Sequence, residues 1–182
     1  MGKFVAAIGS LVFLTLAANA AAAKSGAVET AGQVVAFGLP AAAGALSLYR
    51  DDGTGLAELG SSWLVTVGST YALSHIVRER RPDGSDHHSF PSDTSASAFS
   101  AANYLWMRYG WRWGVPAYAL ATFAGYSRVQ AMKHHWYDVA ASEAIALGVN
   151  YAIVTRFRPS SRYDVSAGAG PEGVEARVSY RW

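Results

Sequence analysis

Apolar residues run along this chain in long blocks, and the polar residues fall mostly between them. The first block, MGKFVAAIGSLVFLTLAANAAAA, sets Lys3 ahead of an apolar run from Phe4 to Leu16 and then Ala18-Asn19-Ala20. A short positive start, an apolar centre and small residues around a polar one form the pattern of a secretory signal peptide, cleaved after Ala20 or Ala23. An uncleaved N-terminal anchor helix is the alternative. Ala31 to Tyr49 follows without a charge, with Pro40 in its middle and Arg50-Asp51-Asp52-Gly53 closing it. Leu56 to Val77 is largely apolar, and Arg78 to Asp93 is a polar loop. Thr94 to Tyr109 predicts a helix that Gly110 ends, and Trp111-Arg112-Trp113-Gly114 reads as an aromatic junction. Pro116 suits the first turn of a helix running to about Gln130. His134 to Arg156 predicts the last helix, stopped by Pro159. Beyond it, Tyr163 to Ala167 and Val174 to Trp182 alternate polar and apolar around Gly168-Ala169-Gly170-Pro171, a hairpin signal. The expected fold is all-α, a compact helical bundle of about five to six helices with a short C-terminal β-hairpin. Its expected divisions are 1–23 signal peptide, 24–160 helical bundle and 161–182 hairpin or tail.

Composition narrows this. The chain has 182 residues, 51% of them hydrophobic and only 15% charged, which excludes intrinsic disorder. It has no cysteine, which excludes a disulfide scaffold and a thiolate-ligated metal. A formal charge of +2 gives no case for a nucleic-acid partner. The helices suit a membrane or the inside of a compact bundle, with Ala31 to Tyr49 the best spanning candidate by length. Their small residues permit close packing in either setting. Twelve arginines stand against three lysines, and the planar guanidinium fork fits phosphate and carboxylate bidentately. The five histidines, at 75, 87, 88, 134 and 135, fall in two places.

Three clusters carry candidate chemistry. Arg78-Glu79-Arg80-Arg81-Pro82 ends the second long helix. Ser89-Phe90-Pro91-Ser92-Asp93-Thr94 leads straight into a helix, whose N-terminal N–H groups and dipole attract an anion; simple capping by Ser92, Asp93 or Thr94 is the other use of such a turn. In the third, Ser127-Arg128 is followed after five residues by His134 and after three more by Asp138. On a helix those last two share a face, and a carboxylate on one imidazole nitrogen leaves the other free to act. Two arginines, a helix N-terminus and an oriented histidine at three inter-helix junctions make an anion site with a nucleophile in it. Phosphoryl transfer needs those parts, because there the protein mostly positions the group and neutralises its oxygens.

Ser127, Arg128, His134 and Asp138, preceded at matching order by Arg81-Pro82 and Pro91-Ser92, resemble the type 2 phosphatidic acid phosphatases. That family includes bacterial non-specific acid phosphatases and relatives of the vanadium haloperoxidases. The similarity in spacing covers 74–138, and the helical pattern extends it over roughly 31–158. The resemblance implies a helical bundle and metal-independent hydrolysis of phosphate esters with no cofactor, vanadate serving as a phosphate mimic. It implies that His134 attacks phosphorus, that Asp138 orients it, and that Arg81, Arg128 and Ser92 hold the phosphoryl oxygens.

Two positions depart from the family pattern. Ser74 stands where the family has a lysine, and Asp93-Thr94 where it has Gly-His. The family histidine protonates the leaving alcohol; losing a general acid costs about 10²–10⁴-fold. His75, His87, His88, Asp93 and Thr94 are the candidate substitutes, and His135 is expected to point away from His134. The resulting expectation is an exported phosphatase of the periplasm or cell-envelope membrane, acting on a phosphomonoester, lipid phosphate or lipid diphosphate. The alternative is a degenerate member that binds phosphate or lipid headgroups without efficient turnover. A structural envelope protein using the hairpin as contact surface is a third reading.

Overall fold

A computed structural model describes the backbone of residues 2–157, 163–170 and 173–180, and the side chains of 26–157. The expected signal peptide and the whole of the expected hairpin thus lie outside the residues whose side chains are described. Five helices make the fold: α1 (Gly2–Tyr49), α2 (Gly53–Val77), α3 (Asp93–Tyr109), α4 (Trp111–Gln130) and α5 (Trp136–Ile153). The bundle is all-α, with α3 packed against each of the other four.

Local chemistry sets the boundaries. Asp52 caps α2 by accepting the Gly55 N–H at 2.8 Å, and Arg78 ends it in the left-handed region at φ 51°. Ser92 caps α3, and Gly110 both ends α3 and starts α4. Pro116 therefore sits inside α4 rather than opening it, and the expected aromatic junction is the helix's first turn. Helix α5 starts at Trp136 with His135 as its N-cap, so His134 belongs to the preceding turn and not, as expected, to the helix.

The interior is made of small and polar side chains. Ala36, Ala43, Ala98, Ala102, Ala121 and Ala146 are fully buried, and so are Ser62, Thr66, Ser100, Asn103 and Asn150. Alanine and glycine at the contacts bring the helix axes close. A Cβ on Gly32 of α1 would lie 1.8 Å from Ser127 Oγ, and one on Gly125 of α4 would lie 2.6 Å from Val139 Cγ1. Those two glycines let α1 and α5 press on α4 at the end where the three sequence clusters meet. At the opposite end Asp52 takes a buried bidentate pair from Arg108, which also donates to Glu58 and to the Thr155 carbonyl. Every donor and charge in that network has a partner, which is what makes burial of an arginine tolerable.

Candidate active site

The loop between α2 and α3 and the turn between α4 and α5 close over one end of the bundle. The Asp83 N–H donates to the Met132 carbonyl at 2.9 Å, and Lys133 Nζ donates to Asp83 Oδ2 at 2.6 Å. The Arg128 carbonyl accepts the N–H groups of Lys133 and His134 at 3.0 and 3.4 Å. That wrap over the C-terminus of α4 places His134 directly beyond Arg128.

His134 is 4% exposed, and its Nδ1 lies 2.6 Å from the Ser89 carbonyl oxygen. A carbonyl can only accept, so the hydrogen-bond pattern assigns the proton to Nδ1 and leaves the lone pair on Nε2. Asp138 is fully buried. Its Oδ2 accepts the Ser89 hydroxyl at 2.6 Å and the His135 N–H at 2.7 Å, but lies 3.7 Å from His134 Nδ1, outside hydrogen-bond range. The expected direct orientation of His134 by Asp138 is therefore relayed in this structure through Ser89. Burial alone would raise the Asp138 pKa; the hydrogen bonds it accepts, with His134 beside it, outweigh burial and hold it below the ordinary carboxylate range.

Arg128 is 5% exposed, and its Nη1 donates to Glu29 Oε1 of α1 at 2.9 Å. Its Nε is buried and has no partner among the described residues. A buried guanidinium N–H left unpaired costs on the order of 1–3 kcal/mol, and a phosphoryl oxygen is the partner its geometry suits. Ser92 Oγ accepts the Ser95 N–H at 3.4 Å and sits 2.9 Å from Ser95 Oγ, so capping is realised here. Its N–H and carbonyl are tied to the Ser142 hydroxyl, each at 2.9 Å, which pins the start of α3 to α5. Arg81 turns its Nε onto Asp86 Oδ1 at 2.7 Å, leaving the two Nη groups for another acceptor.

The candidate substitutes divide by place. Asp93 is the first residue of α3, and its Oδ1 is buried without a partner among the described residues. Burial pushes its carboxyl above the ordinary value, against the opposing influence of the neighbouring Thr70, His134, His75 and Arg81. His75 Nδ1 pairs with the Tyr71 carbonyl at 2.8 Å, and its ring centre lies 4.5 Å from that of His88 at a tilt of 43°. His87 and His88 line an open cavity of about 440 Å³ with Arg78 and Asp86. Thr94 is half-buried beside Asp93. Ser74 is buried, and its hydroxyl is spent on the Tyr71 carbonyl at 2.8 Å. His135 stacks on Tyr137 at 4.7 Å. Glu79, His135 and Asp138 offer ligand atoms within 4.8 Å of one another and could hold a cation, although Asp138 Oδ2 already accepts two hydrogen bonds.

Two participants escaped the sequence reading. Ser89 was read only as part of a turn, and the orienting group is its backbone carbonyl, which no side-chain pattern reveals. Glu29 lies 99 positions from Arg128. Its only signal is a lone acid in an otherwise apolar helix, a placement that usually requires a partner.

Comparison with known proteins places this geometry. The family model described as the PAP2 superfamily matches residues 61–162. The chain is 34% identical over 143 residues to the lipid A 4'-phosphatase of Helicobacter pylori, covering 72% of each protein. It is 32% identical over 99 residues to the lipid A 1-phosphatase of Porphyromonas gingivalis, covering 53% of this chain and 21% of that one. The crystal structure of LpxE from Aquifex aeolicus shares the fold with a TM-score of 0.52 and 18% identity, over 66% of this chain and 83% of that one.

Proposed function

The chain belongs to the PAP2 superfamily, and from that premise we propose that it hydrolyses a lipid-borne phosphomonoester in the cell-envelope membrane. The observation that carries this reading is His134: a buried imidazole with Nδ1 fixed on the Ser89 carbonyl and Nε2 free, one residue-wrap away from an arginine with an unpaired N–H. In the proposed reaction Nε2 attacks phosphorus as the bond to the ester oxygen breaks, and the alcohol departs with a proton. Water then attacks the phosphohistidine, the nitrogen–phosphorus bond breaks, and inorganic phosphate leaves. Asp138, held ionised, stabilises the imidazolium side of this cycle through Ser89. Arg128 and Arg81 neutralise charge on the equatorial oxygens, and Ser92 at the start of α3 gives them N-terminal helix donors. No metal or cofactor takes part in this proposal, and EDTA is expected to leave the rate unchanged.

The substrate assignment draws on the two relatives, whose names identify them as phosphatases of lipid A. A phosphorylated lipid A is accordingly the first substrate to test, with phosphatidic acid beside it. The surface supports a lipid setting. Between the helix ends, large apolar side chains such as Phe37, Leu64, Val65, Leu120 and Leu147 face outward while alanine and serine fill the inside. Exposed Trp106, Trp111, Trp113 and Tyr151 mark the end away from the site, and Tyr71, Tyr126, Trp136 and Tyr137 the end near it. Aromatic residues favour both membrane–water interfaces. Gly26–Tyr49 of α1 is long and apolar enough to cross a bilayer. Export to the periplasmic side rests on the N-terminal pattern alone. The tail is read as an appended hairpin, on its alternation and a backbone register that sets Tyr163 opposite Tyr180.

Ser74 and Thr94 favour a second reading, a member that binds phosphate without efficient turnover. One assay separates the two. The full chain in detergent micelles releases phosphate from lipid A or phosphatidic acid, and His134→Ala abolishes the release. Vanadate binding with no phosphate release from any ester supports the binder instead.

A further inference from the structure

Displacement at phosphorus leaves a sugar or glycerol oxygen, a poor leaving group unless it gains a proton as the bond breaks. Most groups at the site are already committed. His134 spends Nε2 on the attack and its Nδ1 proton on Ser89. Asp138 is held below the ordinary carboxylate range by its two hydrogen bonds, with His134 beside it. Ser92 caps α3, and arginine does not give up a proton. Asp93 is different. It opens α3 next to Ser92, and its Oδ1 is buried without a partner among the described residues.

Resting on the phosphatase reading, we propose that Asp93 is the general acid of this site. Its carboxyl gives a proton to the ester oxygen as the His134–phosphorus bond forms. Its carboxylate then takes a proton from the water that opens the phosphohistidine, which restores both residues. An aspartate in the first turn of a helix ordinarily favours its ionised form. Here desolvation pulls the other way and prevails over Thr70 and the groups facing Asp93: His75 from α2, Arg81 from the loop and His134 from the α4–α5 turn. Asp138, the acid of α5 at this end, is turned onto Ser89 and the His135 N–H. The carboxyl is thereby kept protonated to higher pH than an exposed aspartate would be, as an acid catalyst requires. His75 suits the task less, because its Nδ1 is held on the Tyr71 carbonyl and its ring packs at a tilt against His88.

The test is leaving-group dependence, measured on the full chain in detergent with a series of aryl phosphates and with phosphatidic acid. In the wild type, turnover of the alkyl ester falls as pH rises through the Asp93 pKa, and dependence on the leaving group steepens across the same range. Asp93→Asn loses about 10²–10⁴-fold on phosphatidic acid, loses far less on the most acidic phenol, and loses the alkaline limb. Vanadate binding by Asp93→Asn verifies an intact site; should the variant not fold, the wild-type leaving-group series decides alone. Equal losses on aryl and alkyl esters, or a wild-type leaving-group dependence that ignores pH, overturn the proposal. His134→Ala assayed in parallel reports on the phosphatase reading itself: turnover surviving there sinks the reading, whereas a dead His134→Ala with equal Asp93→Asn losses sinks only the acid.

Discussion

Ser89 uses two oxygens for two jobs. Its carbonyl fixes His134 and its hydroxyl donates to Asp138, so one turn residue couples the imidazole proposed as nucleophile to the carboxylate. Ser89→Ala keeps the carbonyl but strips a charge-assisted hydrogen bond from a fully buried carboxylate. It is expected to lower stability by about 1.5–3 kcal/mol while leaving measurable turnover, checked by thermal unfolding beside the phosphate assay. Complete inactivation without destabilisation would contradict this division of labour. Asp138 also sets an acid limit. Its folded pKa is depressed, so its stabilising contribution is present above the unfolded carboxylate pKa and drains away as pH falls through the folded value. Unfolding of wild type and Asp138→Asn across acid pH should show that loss only in the wild type. The spacing of His134 and Asp138 made both legible in the sequence. The reading placed them on one helix face, whereas the helix starts two residues later and the carboxylate instead closes a capping box with His135. A backbone carbonyl 45 positions away does the orienting.

Among the elements, α1 contributes more than a span. Glu29 anchors one arm of Arg128, and Gly32, one turn further, removes the side chain that would block Ser127. Glu29→Ala should weaken vanadate binding and raise KM more than it lowers kcat, because a loosened guanidinium still carries its charge. A fall in kcat alone would show that Glu29 acts elsewhere. Gly32→Leu should destabilise by about 1–3 kcal/mol through overpacking of α1 against α4, read as a lower unfolding midpoint. The hydrophobic blocks foretold five helices well, since length and apolar content decide that much. Ends set by single caps were less legible. Trp111 to Gly114 looked like a junction because tryptophan, glycine and a nearby proline weaken helical preference, yet Gly110 supplies the break and α4 starts at once.

For the molecule as a whole, the distribution of side-chain sizes is reversed from that of a water-soluble core. Alanine, serine and asparagine dominate the inside around a few larger residues such as Leu59, Phe99 and Tyr104, and many large apolar residues lie outside between two aromatic bands. Small interior residues give close packing where burial of bulk does not drive association, which is the situation in lipid. The chain should therefore sediment with membranes and withstand an alkaline carbonate wash; recovery in the soluble fraction would contradict the lipid setting. Composition showed abundant apolar residues but could not say which way they faced, because periodicity is weak when both surfaces of a helix avoid charge. The central claim is narrower than topology and more exposed to test. It is that His134 becomes phosphorylated by a lipid phosphate. Quenching the full chain with acid-stable and acid-labile phosphate detection during turnover of radiolabelled lipid A should show an acid-labile, alkali-stable protein phosphate in the wild type and none in His134→Ala. Undiminished labelling or turnover in His134→Ala would contradict the account.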